Sequence, residues 1–150
     1  MKKFFLVLTV IILFFAGNAT AENRGFGLGL IIGEPIGFSF KNWTGSKTAV
    51  TGGVAWSIVH GGSLHFHADY LIHNHRLVQV PDVKLFLYYG IGGRIKTRHQ
   101  DRVGIRFPVG LCYVFEKIPL DVYLDIVPLL DLTPDRGTEL MIGLGFIYYF

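Results

Sequence analysis

Large apolar residues alternate with small or polar residues along most of the chain after residue 24, with the period of two that a β-strand produces. The alternation is clearest in the last eleven residues, LMIGLGFIYYF. Their apolar positions are Leu140, Ile142, Leu144, Phe146, Tyr148 and Phe150. The positions between them include Gly143 and Gly145. One apolar face opposite one small or mixed face is typical of a strand that separates lipid from a narrow, filled interior.

The same alternation predicts eight strands joined by short connections. They lie near residues 25–33, 36–43, 48–57, 64–73, 85–96, 102–115, 120–126 and 140–150. Trp43 ends the second strand where an aromatic residue at a membrane interface would sit. We expect aromatic belts at the two interfaces to account also for most of Trp56, Tyr88, Tyr89, Tyr148 and Tyr149. An even number of strands is what a bacterial single-chain barrel requires. The longest break, Asn74–Lys84, falls on the periplasmic side by strand counting, although such barrels usually carry their longer loops outside.

The first 21 residues have the three parts of a secretory signal peptide. Lys2 and Lys3 precede an apolar run from Phe4 to Ala16, and the small residues Ala19-Thr20-Ala21 follow it. The run is shorter than the ~20 apolar residues that a membrane-spanning helix needs. We therefore expect cleavage after Ala21, which leaves residues 22–150 as one domain.

The face opposite the apolar stripe decides whether the barrel lies in a membrane. That face carries many glycines, which leave room for bulky neighbours inside a narrow barrel. It also carries charges of both signs, namely Lys41, Asp69, Arg94, Lys96, Arg102, Arg106, Asp121 and Asp125. Because buried ions survive only when paired, we predict that these residues form a charge network that fills the lumen. The alternative is a soluble, periplasmic, calycin-like lipid-binding barrel, with the aliphatic face inside.

Several segments carry a resemblance to a known class of protein. The segments GFGLGLIIGEPIGFSFK, LHFHADYL, LYYGIGGRIK and DRVGIRFPVGL, with the aromatic ending, resemble a family of small, uncharacterised outer-membrane barrels. The mature chain is similar in scale to the transmembrane domain of outer membrane protein A and to outer membrane protein X. The resemblance implies a closed, antiparallel, up-and-down, eight-stranded transmembrane β-barrel. It also implies that Phe146, Tyr148 and Phe150 form the signal read by the outer-membrane barrel assembly machinery.

Composition and charge exclude several classes of function and of site. The formal charge of the 150 residues is +3, and two of the lysines lie in the signal peptide, so nothing indicates a nucleic-acid partner. Cys112 is the only cysteine, which excludes an internal disulfide and a cysteine-based zinc site. His65 and His67 share one face of the fourth strand and suggest a metal site, although two ligands are fewer than zinc requires. A nearby guanidinium disfavours a cation, so we expect these histidines to form hydrogen bonds within the lumen, and we expect no metal or cofactor.

Two further activities, lipid modification and conduction through a pore, are alternatives to be weighed. Ser57, His60 and Ser63 lie around one loop, and Asp101, Asp135 and Glu139 could reach the same rim, as a lipid-modifying hydrolase or acyltransferase would need. A wide aqueous pore is disfavoured because eight strands enclose too little space. The sequence thus predicts a monomeric outer-membrane barrel, surrounded by outer-membrane lipid, with a structural or interaction role.

Overall fold

The computed structural model describes residues 25–59, 62–74, 84–98, 100–115, 117–133 and 136–150. The predicted signal peptide, its cleavage site after Ala21 and most of the 74–84 connection lie outside these ranges. The strands are β1 (Phe26–Gly33), β2 (Ile36–Trp43), β3 (Thr48–Ser57), β4 (Ser63–Asn74), β5 (Leu85–Thr97), β6 (Arg102–Arg106), β7 (Val109–Val114), β8 (Leu120–Thr133) and β9 (Gly137–Tyr149). No helix in the described part of the chain is long and apolar enough to cross a membrane.

The strands form one closed antiparallel ring. Each of β1 to β5 pairs with its neighbour in sequence, β8 pairs with β9, and β9 closes the ring on β1. The two short strands β6 and β7 lie end to end, and both pair with β5 on one side and β8 on the other. The nine segments therefore occupy eight positions, which confirms the predicted eight-stranded barrel.

The predicted sixth strand, residues 102–115, is not continuous. It is interrupted at Phe107-Pro108, because proline has no N–H to give to the ladder. Hydrogen bonding nevertheless continues past the break: the Phe107 N–H donates to the Pro128 carbonyl at 3.0 Å, and the Gly90 N–H donates to the Pro108 carbonyl at 3.0 Å. The ring thus stays closed at this position.

The apolar face of each strand points outward. Exposed large apolar residues occur on every strand, for example Leu28, Phe38, Trp56, Ile91, Val109, Leu124 and Leu144. This placement is the opposite of the calycin-like alternative. The expectation of interfacial belts is wrong for Trp43, Tyr88 and Tyr149, which are buried inside the barrel. Trp43 follows the inward positions Gly37, Ser39 and Lys41 in strict alternation, so the parity of β2 turns it inward.

The barrel has one end beside the chain termini and an opposite end whose rim is uneven in height. Gly27 pairs with Tyr149 beside the chain ends, and the link between Asn74 and Leu85 begins and ends on that side too. The link therefore lies at the same end of the barrel as the chain termini, as the strand count predicted. The opposite end, called the mouth here, is bounded by the Glu34-Pro35 turn and the ends of β3, β5 and β8. Strands β1 and β2 have 8 residues each, whereas β8 has 14 and β9 has 13, so the mouth is lower on the β1–β2 side.

Candidate functional site: the lumen

The mouth end of the lumen is closed by ion pairs around Arg94, whose side chain is fully buried. Arg94 Nη2 donates to Asp131 Oδ1 at 2.7 Å, and Arg94 Nη1 lies 3.0 Å from Glu139 Oε2. Lys96 Nζ lies 3.9 Å from Glu139 Oε1, and Arg102 Nη1 lies 3.7 Å from Asp131 Oδ2. The group contains three cations and two carboxylates, so it carries one net positive charge, and its two buried members, Arg94 and Asp131, pair directly with each other.

The middle of the lumen is held by two pairs. Arg106 Nε lies 3.0 Å from Asp69 Oδ1, and the Tyr88 hydroxyl donates to Asp125 Oδ2 at 3.0 Å. A cavity of about 70 Å³ lies beside them. A polar cavity needs only ~10–15 Å³ to hold one water, so this one has room for several. The middle layer therefore has room for internal water beside these polar groups.

The end of the lumen near the chain termini is closed by an aromatic and ionic cluster. Trp43 Nε1 donates to the Tyr149 hydroxyl at 3.0 Å, and that hydroxyl donates to Asp121 Oδ2 at 2.7 Å. Lys41 Nζ lies 2.9 Å from His73 Nε2, 4.0 Å from Asp121 Oδ2 and 4.4 Å from the centre of the Trp43 ring. A buried lysine is stabilised here by a carboxylate, an imidazole and an aromatic face together.

Glycines lie directly across the ladder from the bulky lumen side chains. A Cβ added at Gly92 would overlap Asp69, its partner in the register. The same relation repeats around the ring: Gly104 faces Asp131, Gly110 faces Tyr88, Gly143 faces Asp125 and Gly145 faces Tyr123. The glycines on the inner face therefore create the space that the charged and phenolic side chains occupy.

The histidines of β4 make separate contacts. His65 Nε2 lies 2.9 Å from the Ser63 hydroxyl, His73 contacts Lys41, and His67 stands opposite Arg94 in the ladder. Asp69 pairs with Arg106, which lies across Gly92 on the next strand of the ring. Among the described residues, no three His, Cys, Asp or Glu side chains come together as metal ligands would. The guanidinium of Arg94, which stands opposite His67, disfavours cation binding on this face.

The residues considered for hydrolysis are only partly assembled. Ser57 donates to Glu34, and Ser63 contacts His65, both at the mouth. His65 Nδ1 has no hydrogen-bond partner in the described part of the chain, so no carboxylate orients that imidazole. His60 and Asp135 lie outside the described residues. In the part of the chain that the structure describes, the arrangement is therefore a serine–histidine pair without a third member.

All eight charged residues singled out from the sequence point into the lumen, although Arg102 is half exposed at the mouth. Sequence reasoning missed Asp131, which pairs with Arg94. Asp131 continues the two-residue alternation of Asp121 and Asp125, and this parity could have revealed it if β8 had been extended to Thr133. Glu139 was considered only as a rim acid, yet it contacts both Arg94 and Lys96.

Comparison with known proteins supports the fold. No family model matches the chain, and no curated protein gives a significant match. Among solved structures, the N-terminal β-barrel domain of Pseudomonas aeruginosa OprF is similar, with a TM-score of 0.63 and 14% sequence identity. The similarity covers 83% of this chain and 96% of that one. It confirms, at the level of the fold, the resemblance to small eight-stranded outer-membrane barrels.

Proposed function

We propose that this chain is a bacterial outer-membrane protein whose barrel spans the bilayer as a closed, charge-filled cylinder with a structural or interaction role. The single observation that carries the proposal is the combination of a complete hydrogen-bonded ring with an apolar outer wall and a polar lumen. In lipid, a sheet edge leaves backbone groups unsatisfied, which costs several kcal/mol for each group, so a closed ring is the form that membranes admit.

The filled lumen favours this role over solute diffusion. Arg94, Lys41 and Asp121 are almost completely buried, and the ion pairs described above occupy both ends. Barrels that pass bulk solutes use sixteen or more strands. The proposed location also rests on the signal-peptide pattern of residues 1–21 and on the fold shared with the OprF domain. In this proposal the chain ends lie in the periplasm and the mouth lies outside the cell.

Membrane fractionation with heat-modifiable gel migration tests the proposal. We expect the mature chain in the outer-membrane fraction, and we expect the unboiled protein to migrate differently from the boiled one. A mature protein that stays soluble after membranes are sedimented would contradict the proposal. Recognition by the assembly machinery through Phe146, Tyr148 and Phe150, the monomeric state and the cleavage after Ala21 remain predictions. Mass spectrometry of the mature N-terminus checks the last of these.

The lipid-modifying alternative has a direct test. Purified barrel is incubated with lipopolysaccharide that carries labelled acyl chains, and the lipid is then analysed for lost or transferred chains. Because no carboxylate among the described residues orients His65, we expect no change in the lipid. Release of acyl chains that a Ser63→Ala variant abolishes would instead establish an enzyme.

A further inference from the structure

The barrel wall is incomplete at the mouth between β9 and the β1–β2 turn. The ladder between β1 and β9 runs from Gly27–Tyr149 to Gly33–Gly143 and stops where β1 ends. Strand β9 continues from residue 142 up to residue 137 and pairs there with β8 alone among the described strands. This segment lies above the level at which β1 and β9 close the ring, and at about 3.4 Å per residue it leaves about 20 Å of β9 with a free edge on the β1 side. We call this gap the side notch and define it by Glu34, Pro35, Leu140 and Ile142.

The side notch connects the lumen to the outer wall. A cavity of about 900 Å³ fills the mouth, and its lining includes both inward-facing and outward-facing residues. Leu140 and Ile142 belong to the outer face of β9 and are 63% and 59% exposed. His65, Lys96 and Glu139 belong to the inner face. One cavity touches both faces because the wall between them is missing at this height.

The lining of this cavity is amphipathic. Its apolar part consists of Pro35, Val59, Leu140, Met141 and Ile142. Its cationic part consists of Lys96, Arg98 and Arg102. Glu139 is occupied by Arg94 and Lys96, and Glu34 is occupied by Ser57. Among the described residues, Arg98 has no carboxylate within ion-pair distance, and Arg102 is half exposed and lies 3.7 Å from Asp131, so these two are the cations least neutralised inside the mouth.

We propose that the side notch binds a membrane lipid with an anionic phosphate headgroup. The acyl chains lie along Leu140 and Ile142 on the outer wall, and the phosphate reaches through the notch to Arg98 and Arg102. A guanidinium suits this task because it presents several N–H donors to phosphate oxygens. The inference rests on the proposed function, since it requires the barrel to be embedded in a bilayer.

Trp56 supplies a reporter beside the side notch. It faces outward on β3, pairs across the ladder with Ile36 and Leu64, and precedes Ser57, which lines the mouth cavity. Trp43, the other tryptophan, is buried in the lumen at the opposite end. A quencher carried on lipid chains at the notch therefore acts on Trp56, and a Trp56→Phe variant gives the background from Trp43.

The experiment compares two brominated lipids with identical chains. The full mature barrel is refolded into phosphatidylcholine vesicles that contain brominated phosphatidic acid or brominated phosphatidylcholine, and tryptophan fluorescence is recorded. A basic residue near a membrane surface favours an anionic lipid by about fivefold, so we expect phosphatidic acid to quench Trp56 at severalfold lower mole fraction. The double variant Arg98→Gln/Arg102→Gln is expected to lose this preference. Lys47→Gln, an exposed lysine in the turn at the opposite end, is expected to keep it.

The possible outcomes separate the two proposals. Equal quenching by both lipids would overturn the lipid site while leaving the membrane barrel intact. No quenching by either lipid would contradict the membrane location itself. The free edge of β9 could alternatively pair with a second copy. A disulfide-linked dimer of a Leu140→Cys variant that forms equally with both lipids would assign the edge to that copy and overturn the lipid site.

Discussion

At the scale of single residues, the inner-face glycines determine which side chains the lumen can hold. Each large polar side chain of the middle layer has a glycine opposite it, as Asp69 has Gly92 and Tyr88 has Gly110. The sequence reveals that one face is rich in glycine. It does not reveal which glycine faces which side chain, because that depends on the register between strands, which a single sequence does not encode locally.

The adjacent glycines of β5 provide a matched test of this relation. A Cβ at Gly92 would overlap Asp69 and the Ala68 carbonyl oxygen, whereas a Cβ at Gly93 on the outer face has its nearest neighbour 3.9 Å away. We expect Gly92→Ala to lower the free energy of unfolding by about 1–3 kcal/mol through overpacking. Gly93→Ala is expected to be neutral or slightly stabilising. Urea unfolding in lipid vesicles measures both, and equal effects would refute the role assigned to Gly92.

The buried arginine of the mouth provides a second test at this scale. Arg94→Met removes the cation that Asp131 and Glu139 share while keeping most of the apolar volume. Breaking a buried ion pair leaves an uncompensated charge, so we expect a loss of about 3 kcal/mol in the free energy of unfolding. Arg98→Met, at an exposed position, is expected to change it by less than about 0.5 kcal/mol. Comparable small effects in the two variants would show that the mouth pairs contribute little.

At the scale of elements, the alternation of faces was predicted correctly, whereas two details that the sequence contains were predicted wrongly. The eight positions and their inward and outward residues follow from the period of two, which local sequence carries directly. Trp43 was misplaced because a general preference of tryptophan for membrane interfaces was given more weight than the parity set by Lys41. The interruption of the sixth strand follows from Pro108. This proline is visible in the sequence, but a continuous strand was predicted because the apolar alternation continues on both sides of it.

The outer face of a strand should tolerate charge only near its ends. Ile91 lies at the centre of β5, whereas Leu132 lies near the mouth end of β8, and both point outward. An arginine on the lipid face costs about 2–4 kcal/mol at the membrane midplane and about 0–1 kcal/mol near the interface. We therefore expect Ile91→Arg to destabilise the barrel in vesicles far more than Leu132→Arg. Similar losses would contradict a wall that spans the bilayer.

At the scale of the whole molecule, closure of the ring and filling of the lumen depend on each other. The sequence indicated charges of both signs on the inner face, and their presence there was predictable. Their partners were not: Asp69 pairs with Arg106 across Gly92, because the stagger between strands in a closed barrel determines which side chains meet. The side notch could not be predicted from the sequence either, because it arises from the unequal lengths of β1 and β9.

A filled lumen predicts little electrical conductance. With Arg94, Lys41 and their carboxylates in place, we expect no stable, porin-sized current steps when the purified barrel is inserted into planar bilayers. A sixteen-stranded porin inserted under the same conditions serves as the positive control. Regular large steps from the wild-type barrel would show that the ion pairs do not close the lumen.

Spin-label accessibility along β5 shows directly which face of the barrel wall meets lipid and which faces the lumen. Single nitroxide-labelled cysteines are placed in turn at residues 87–95 in a Cys112→Ser background, in lipid vesicles. Collisions with membrane-dissolved oxygen are then measured at each position. We expect the collision rate to reach maxima at Leu87, Tyr89, Ile91, Gly93 and Ile95, and minima at the residues between them. Maxima at Tyr88, Gly92 and Arg94 instead, or no period of two, would contradict it.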